Sequence, residues 1–349
     1  MSATLQDLLG IEHAIVQAPM AGVQGSAMAI AVCNAGGLGS LPCALLSPAT
    51  MRDELERLRA QTDRPYNVNF FCHQPPVADA ARDATWRAAL APYYRELAVD
   101  PAAPSSAVAR TPFDADAAEL LRAFTPAVVS FHFGLPAPAL LARVRGWGAK
   151  VFSSATTVDE ARWLEAHGAD AIIAQGLEAG GHRGMFLSDE LTTQVGTLAL
   201  LPQIVKAVRV PVIAAGGIAD AAGVAAAMAL GAAGVQIGTA YLLCPEATTS
   251  PLHRAALSSE RARHTAVTNV FTGRPARGIM NRLMRELGPM TAVAPAFPLA
   301  AAAIAPLRAK AESQGSSDFS TLWCGENATG CRAIPAADLT RELARGFGS

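Results

Sequence analysis

Eight short apolar runs, each bounded by turn residues, alternate along this chain with longer segments of helical pattern. This alternation is typical of repeated strand–helix units whose strands lie parallel in one sheet. Because eight such units close a (β/α)8 barrel, we expect an α/β fold of the TIM-barrel type. The strands are predicted at residues 14–17, 38–41, 67–70, 127–131, 150–153, 171–174, 212–215 and 234–237.

The segments between these strands carry the signals of capped helices. Residues 158–168 place Asp159 and Glu160 in a first turn and end at Gly168, and residues 219–231 repeat the arrangement. Acidic side chains suit the amino terminus of a helix, and a glycine suits the residue after its end. In both cases the chain then enters the next apolar run directly. Such recurrence favours a barrel over a β-sandwich.

Two segments are longer than a minimal barrel requires. Residues 75–126 contain several prolines and a helical piece at 114–124, and we expect an excursion at the barrel rim. After the eighth strand, a small helical cap subdomain is predicted, with helices at 251–263, 278–287 and 299–312. The remaining tail is expected to return to the barrel as a last helix. The predicted domains are therefore 1–243 (barrel), 244–314 (cap) and 315–349 (return).

The composition argues against several classes of partner. The 349 residues are 51% hydrophobic with a formal net charge of -1, so we expect no attraction to nucleic-acid phosphates or to an anionic membrane. Asp7 and Glu12 stand where a secretory signal peptide would be uncharged, and the alanine-rich stretches are too short to span a bilayer. We expect a cytoplasmic protein, either a monomer or a homodimer.

The cysteines and histidines show no metal-binding spacing. The 6 cysteines form no CxxC pair, and the 7 histidines include no HxxxH pair or neighbouring carboxylate cluster. A chain of this size does not need disulfides to stabilise its core. We therefore expect free thiols and no metal site.

Glycine-rich turns follow the seventh and eighth predicted strands. Gly216 and Gly217 come after strand 212–215, and Gly238 and Thr239 end strand 234–237. In (β/α)8 enzymes these two loops commonly hold a phosphate, which adjacent backbone N–H groups can bind. The placement predicts a phosphate site and suggests a phosphorylated cofactor such as FMN, whose ring would span the barrel mouth.

A histidine lies among glycines after the sixth predicted strand. Catalytic residues of (β/α)8 enzymes lie at such carboxyl ends of strands. His182 follows Gly180 and Gly181, and histidine is the side chain that titrates near neutrality. The amides of Asn69 and Gln175 could both donate to and accept from the edge of a flavin ring. The backbone of residues 18–20 could approach the other face of that ring.

Motifs along most of the chain resemble those of one enzyme family. They are QAPM at 17–20, NAGGLG at 34–39, NVNF at 67–70, SFHFG at 130–134, EAGGHRG at 178–184 and GRPARG at 273–278, together with the two glycine turns. This set is similar to that of the nitronate monooxygenases, formerly called 2-nitropropane dioxygenases, and in particular to the FMN-dependent class I. The chain departs from the family at residues 25–28, where a proline-containing segment is expected.

The resemblance implies specific roles. His182 would be the catalytic base. By their positions rather than by the resemblance, His132 at the end of the fourth predicted strand and Arg183 beside His182 are candidate substrate contacts. The reaction would oxidise alkyl nitronates of the propionate 3-nitronate type with O2. One-electron transfer through a flavin semiquinone would give a carbonyl compound and nitrite, without nicotinamide. The residues expected to bind FMN are Ala18, Pro19, Met20, Asn69, Gln175, Gly180, Gly181, Gly216, Gly217, Gln236, Ile237, Gly238 and Thr239.

Two other functions remain open from the sequence. Relatives with this barrel and similar glycine loops include NAD(P)H-dependent flavin reductases of the quinone reductase or enoyl-ACP reductase type. A barrel that binds a phosphorylated metabolite without flavin is a third possibility. The residues do not indicate the chain length of the nitronate.

Overall fold

The computed structural model describes residues 4–102 and 110–348. Eight parallel strands form a ring, and a separate sheet has three strands. In chain order the strands are β1 (Ile15–Gln17), β2 (Gly39–Pro42), β3 (Tyr66–Phe71), β4 (Val128–His132), β5 (Lys150–Ala155), β6 (Ala171–Gln175), β7 (Gly181–His182), β8 (Val212–Ala215), β9 (Gly234–Ile237), β10 (Thr265–Thr268) and β11 (Ala276–Ile279). All except β7, β10 and β11 belong to the ring.

The order of strands around the ring is β1-β9-β8-β6-β5-β4-β3-β2. Between β1 and β2 the ring closes through Leu38, whose N–H donates to the carbonyl oxygen of Ile15 at 2.8 Å. The carbonyl oxygen of Leu38 accepts from the N–H of Gln17 at 2.9 Å. The eight strands lie where the apolar runs predict them, to within two residues at each end. The predicted TIM barrel is therefore confirmed.

Helices surround the ring and occupy the two long insertions. They are α1 (Leu5–Leu9), α2 (Ser26–Asn34), α3 (Pro48–Gln61), α4 (Ala80–Glu96), α5 (Ala115–Arg122), α6 (Pro138–Gly146), α7 (Val158–Ala166), α8 (Thr197–Ala207), α9 (Ala221–Ala229), α10 (Pro251–Leu257), α11 (Arg282–Leu287), α12 (Ala301–Ser313) and α13 (Ala336–Ala344). Asp159 and Glu160 lie in the first turn of α7 as predicted, whereas the first turn of α9 has no acidic residue. Thr157 caps α7 and Asp220 caps α9, each side chain accepting a hydrogen bond from a first-turn N–H.

The excursion after β3 contains α4, a helix that is not among those predicted from the sequence. Its buried residues Trp86, Leu90, Tyr93 and Tyr94 recur at helical spacing, although Pro92 lies among them. Residues 103–109 of the excursion lie outside the described residues. The helix packs on α12. The indole N–H of Trp86 donates to the carbonyl oxygen of Ala300 at 3.3 Å, and the hydroxyl of Tyr94 donates to the carbonyl oxygen of Ala303 at 2.6 Å. The excursion therefore supports the segment after the eighth ring strand.

The segment predicted as a helical cap contains helices α10, α11 and α12 and also a small sheet. The predicted helix at 278–287 is wrong at its start, because Gly278 and Ile279 belong to β11 and the helix begins only at Arg282, after the Asn281 cap. Strand β11 pairs antiparallel with β10 and with β7, so that Ala276 lies opposite His182. The predicted helix at 251–263 ends at Leu257, and a short 3-10 turn follows. The domain boundaries at 243 and 314 stay predictions.

The final helix α13 packs against α2, α9 and β1 of the barrel. All 6 cysteines are free thiols.

Among the described helices, none combines the length and apolar character that crossing a bilayer requires.

Candidate active site

A deep cleft opens at the carboxyl ends of the ring strands, with a volume of about 1390 Å³ when its open mouth is included. This is the end of a (β/α)8 barrel where active sites lie. Every residue expected to contact cofactor or substrate lines it, with the exception of Arg183. The lining includes Ala18, Pro19, Met20, Asn69, His132, Gln175, Gly180, Gly181, His182, Gly216, Gly217, Gln236, Ile237, Gly238 and Thr239.

The turns after β8 and β9 form one corner of this cleft, which we call the anion corner (Gly216, Gly217, Gly238 and Thr239). The two strands are neighbours, with Ala215 opposite Gln236. Gly216 has φ +118° and Gly217 has φ +74°, conformations that favour glycine. Among the described residues, the N–H groups of Gly217, Gly238 and Thr239 have no backbone acceptor. The corner can therefore donate several hydrogen bonds to an anion such as a phosphate.

Residues near the carboxyl terminus complete the anion corner. The N–H of Gly325 donates to Oγ1 of Thr239 at 2.9 Å, and Nδ2 of Asn327 donates to the carbonyl oxygen of Gly217 at 3.0 Å. Both residues line the cleft. No sequence signal indicates these two residues, because no local motif connects a loop after α12 with turns that precede it by 86 and 110 residues.

Aromatic rings surround the imidazole of His182. Its ring centre lies 5.2 Å from that of Phe297, 5.5 Å from Trp323, 6.1 Å from Phe133 and 6.2 Å from Phe71. Burial lowers the pKa of His182 well below its ordinary value, and the positive charges of Arg110 and Arg274 lower it further. The imidazole is therefore neutral at physiological pH and able to accept a proton.

One ring nitrogen of His182 is bound to the protein. Nε2 lies 2.9 Å from Oγ1 of Thr272, and this hydroxyl lies 3.4 Å from the carbonyl oxygen of Arg274. A hydroxyl has one hydrogen, so if Thr272 donates to Arg274 it accepts from Nε2. In that tautomer Nδ1 carries the lone pair, and Nδ1 has no hydrogen-bond partner among the described residues.

Gln175 and His132 hold the loop that carries His182. Nε2 of Gln175 donates to the carbonyl oxygen of His182 at 3.0 Å, and Oε1 accepts from the N–H of Gly184 at 2.7 Å. Nε2 of His132 lies 3.1 Å from that same carbonyl oxygen, and Nδ1 lies 3.0 Å from Oγ of Ser154. Burial lowers the pKa of His132 to about 4. Both side chains line the cleft while they make these bonds to the protein, and the expected contacts of Gln175 with flavin and of His132 with substrate stay predictions.

Arg183 does not lie where a substrate contact would be. Its side chain is fully buried and turned away from the cleft, with Nη1 and Nη2 donating to the carbonyl oxygens of Gly176 and Gln175 at 2.7 and 2.8 Å. Nε donates to Oε1 of Gln194 at 3.0 Å. Burial lowers its pKa to about 10. The expectation that Arg183 attracts the substrate anion is therefore wrong, since Nη1 and Nη2 bind the backbone at the end of β6 and Nε binds the side chain of Gln194.

Several lining residues were not identified from the sequence. Phe71 lies at the end of β3, and Trp323 lies in the loop after α12. Arg110 comes from the excursion after β3, and His253 comes from α10, with Nε2 buried and without a hydrogen-bond partner among the described residues. The GRPARG motif is related to this site only indirectly. It contains Arg274, whose guanidinium carbon lies 4.0 Å from the ring centre of Phe133, one of the rings around His182.

Comparison with known proteins places these features in a family. The family model for nitronate monooxygenase matches residues 2–346. A nitronate monooxygenase of Paraburkholderia phytofirmans is 44% identical over 98% of this chain and 94% of its own length. One of Pseudomonas aeruginosa is 41% identical over 96% of each chain. A solved nitroalkane oxidase from Streptomyces ansochromogenes superposes with a TM-score of 0.89, at 38% identity and 99% coverage of both chains. The chain is thus an enzyme that belongs to the nitronate monooxygenase family.

Proposed function

We propose that this enzyme binds FMN and oxidises alkyl nitronates of the propionate 3-nitronate type with O2, giving a carbonyl compound and nitrite. The observation that carries the proposal is the position of a neutral imidazole, His182, in the same cleft as the anion corner. The names of the relatives support the substrate class.

The polar groups of the cleft fit FMN. The N–H groups of the anion corner would receive the phosphate. Oε1 of Gln236 is buried in the lining without a hydrogen-bond partner among the described residues, and it would accept from a ring N–H. Nδ2 of Asn69 already donates to Oγ of Ser130 at 2.9 Å, so Oδ1 would face the ligand as an acceptor. When bound, FMN would take electrons from the nitronate and pass them to O2.

His182 would act on substrates that arrive as neutral nitroalkanes. Removal of a proton from carbon is slow, and a positioned base accelerates it. Nδ1 would receive the proton, while Nε2 stays hydrogen-bonded to Thr272. The surrounding rings of Phe71, Phe133, Phe297 and Trp323 would exclude water from this end of the cleft.

The purified protein, loaded with FMN, tests the function directly. We expect it to be yellow, to consume O2 and to release nitrite when given propionate 3-nitronate. Rapid anaerobic bleaching of the flavin by NADH or NADPH, without nitrite release from nitronates, would favour the flavin reductase instead. Protein that stays colourless after incubation with FMN would contradict both functions.

The lowered pKa of His182 predicts the pH dependence of the reaction with neutral nitroalkanes. Protonation abolishes a general base, so kcat/KM should fall only as the pH drops through the pKa of the free enzyme. Because that pKa lies well below 6.5, kcat/KM should stay constant as the pH decreases through 6.5. Initial rates with nitroethane between about pH 5 and pH 7.5 measure this. An acidic limb centred at or above 6.5 would contradict the neutral, buried imidazole.

A further inference from the structure

Arg110 brings a positive charge into the cleft beside His182. Both residues line the cleft. The guanidinium carbon of Arg110 lies 5.8 Å from the ring centre of Phe297, and the imidazole centre of His182 lies 5.2 Å from that same ring. A ligand a few carbons long that reaches His182 therefore comes within range of Arg110.

No acidic side chain among the described residues forms an ion pair with Arg110. The preceding residues 103–109 read Ala-Pro-Ser-Ser-Ala-Val-Ala and contain no acid either. Burial lowers the pKa of Arg110, and the nearby charge that acts on it is another cation, Arg308. A partly buried cation without a counter-ion is unfavourable, and a bound anion would stabilise it.

We infer that Arg110 determines specificity by binding a carboxylate carried by the substrate, while the nitronate carbon lies at His182. This inference rests on the proposed function and adds to it the residue that would select short nitronates with a terminal carboxylate. The planar guanidinium can donate two parallel hydrogen bonds to a carboxylate. The anion corner consists of the turns after β8 and β9. Its backbone N–H groups can bind an anion by themselves, so binding there does not require Arg110.

The test compares two nitronates that differ only in the carboxylate. Propionate 3-nitronate carries it, and propyl 1-nitronate has a methyl group in its place. In R110M, kcat/KM for propionate 3-nitronate should fall about 30-fold or more, which is the effect of removing one partner of a buried charge pair. For propyl 1-nitronate it should change less than about 3-fold. R110K should recover part of the loss, because it restores the charge without the planar donors.

K310M is the matched control, since Lys310 is an exposed cation of α12, in the segment that packs on the excursion carrying Arg110. It should leave both substrates unchanged. Circular dichroism and bound FMN content check that the Arg110 variants fold, and R110Q replaces R110M if that variant does not. Equal losses on both nitronates would overturn the inference and assign Arg110 to the nitronate group.

Binding of a dead-end analogue separates this inference from the proposed function. Succinate has the shape and both charges of the carboxylate-bearing nitronate. By titration calorimetry with the FMN-loaded protein, R110M should raise the Kd of succinate about 30-fold or more, whereas K310M should leave it unchanged. Unchanged succinate binding would overturn the role of Arg110 even if nitrite is released. Absence of nitrite from both nitronates with wild-type protein would overturn the proposed function, while succinate would still report on Arg110.

Discussion

An H182N variant is expected to lose about 100-fold or more of its kcat/KM on neutral nitroalkanes and to keep its activity on preformed nitronates. A positioned general base typically contributes a factor of about 10² to 10⁴, and a nitronate has already lost the proton that His182 would take. Asparagine preserves a polar group near Thr272, which lies 2.9 Å from the histidine Nε2. Parallel assays of nitrite release from nitroethane and from ethyl nitronate measure the difference.

The surface histidine His167 provides the matched control, because it is exposed and stacks on Trp163 outside the cleft. H167N should not change either rate. If H182N slows both substrates equally, His182 contributes to binding or to the later oxidation instead of to proton removal. That result would contradict the role proposed for Nδ1.

Substitution of Gly217 by aspartate is expected to weaken FMN binding about 100-fold or more, whereas asparagine should weaken it less than about 10-fold. Gly217 has φ +74°, which asparagine and aspartate tolerate better than other side chains. A Cβ at this position would approach no atom closer than 3.6 Å, so the two variants differ mainly in charge. A carboxylate about 4 Å from a phosphate charge costs about 4 kcal/mol at an effective dielectric constant of 20.

Riboflavin, which lacks the phosphate, isolates the cause of this effect. Its affinity for the apoprotein should be similar in G217D and G217N, and fluorescence quenching measures the Kd of both flavins. If G217D weakens riboflavin as much as FMN, the substitution has disturbed the ring site and the anion corner does not hold the phosphate.

The ring and the positions of its loops could be predicted because their signals are local. An apolar run such as 171–174 indicates a buried strand wherever it occurs, and a glycine turn after it indicates close backbone approach. Once the barrel is assumed, its geometry predicts that Gly217, Thr239 and His182 meet at one end, as they do. This part of the site follows from sequence order and strand number.

The functions of individual polar side chains were harder to predict, because hydrogen bonding depends on the tertiary neighbours. Arg183 and Gln175 lie close to His182 in sequence, yet Arg183 lies outside the cleft lining and the amide of Gln175, which lines the cleft, binds the backbone of residues 182 and 184. Conversely, Arg110 and Trp323 lie far from that loop in the sequence and reach the cleft through the excursion and the carboxyl-terminal segment. No local pattern marks such residues.

The pairing of β7 with β11 was missed for a related reason. Gly181–His182 is too short to show strand alternation, and the helix predicted at 278–287 includes the last two residues of β11. Only the contact between the two segments makes either one a strand.

The contacts of Gly325 and Asn327 with the anion corner have a consequence for biosynthesis. These residues are translated 86 and 110 residues after Thr239 and Gly217, the residues that they contact. A nascent chain can therefore have all eight ring strands in place while this corner still lacks two of its walls. Completion of the anion corner is then a late step of synthesis, which follows translation of the whole ring.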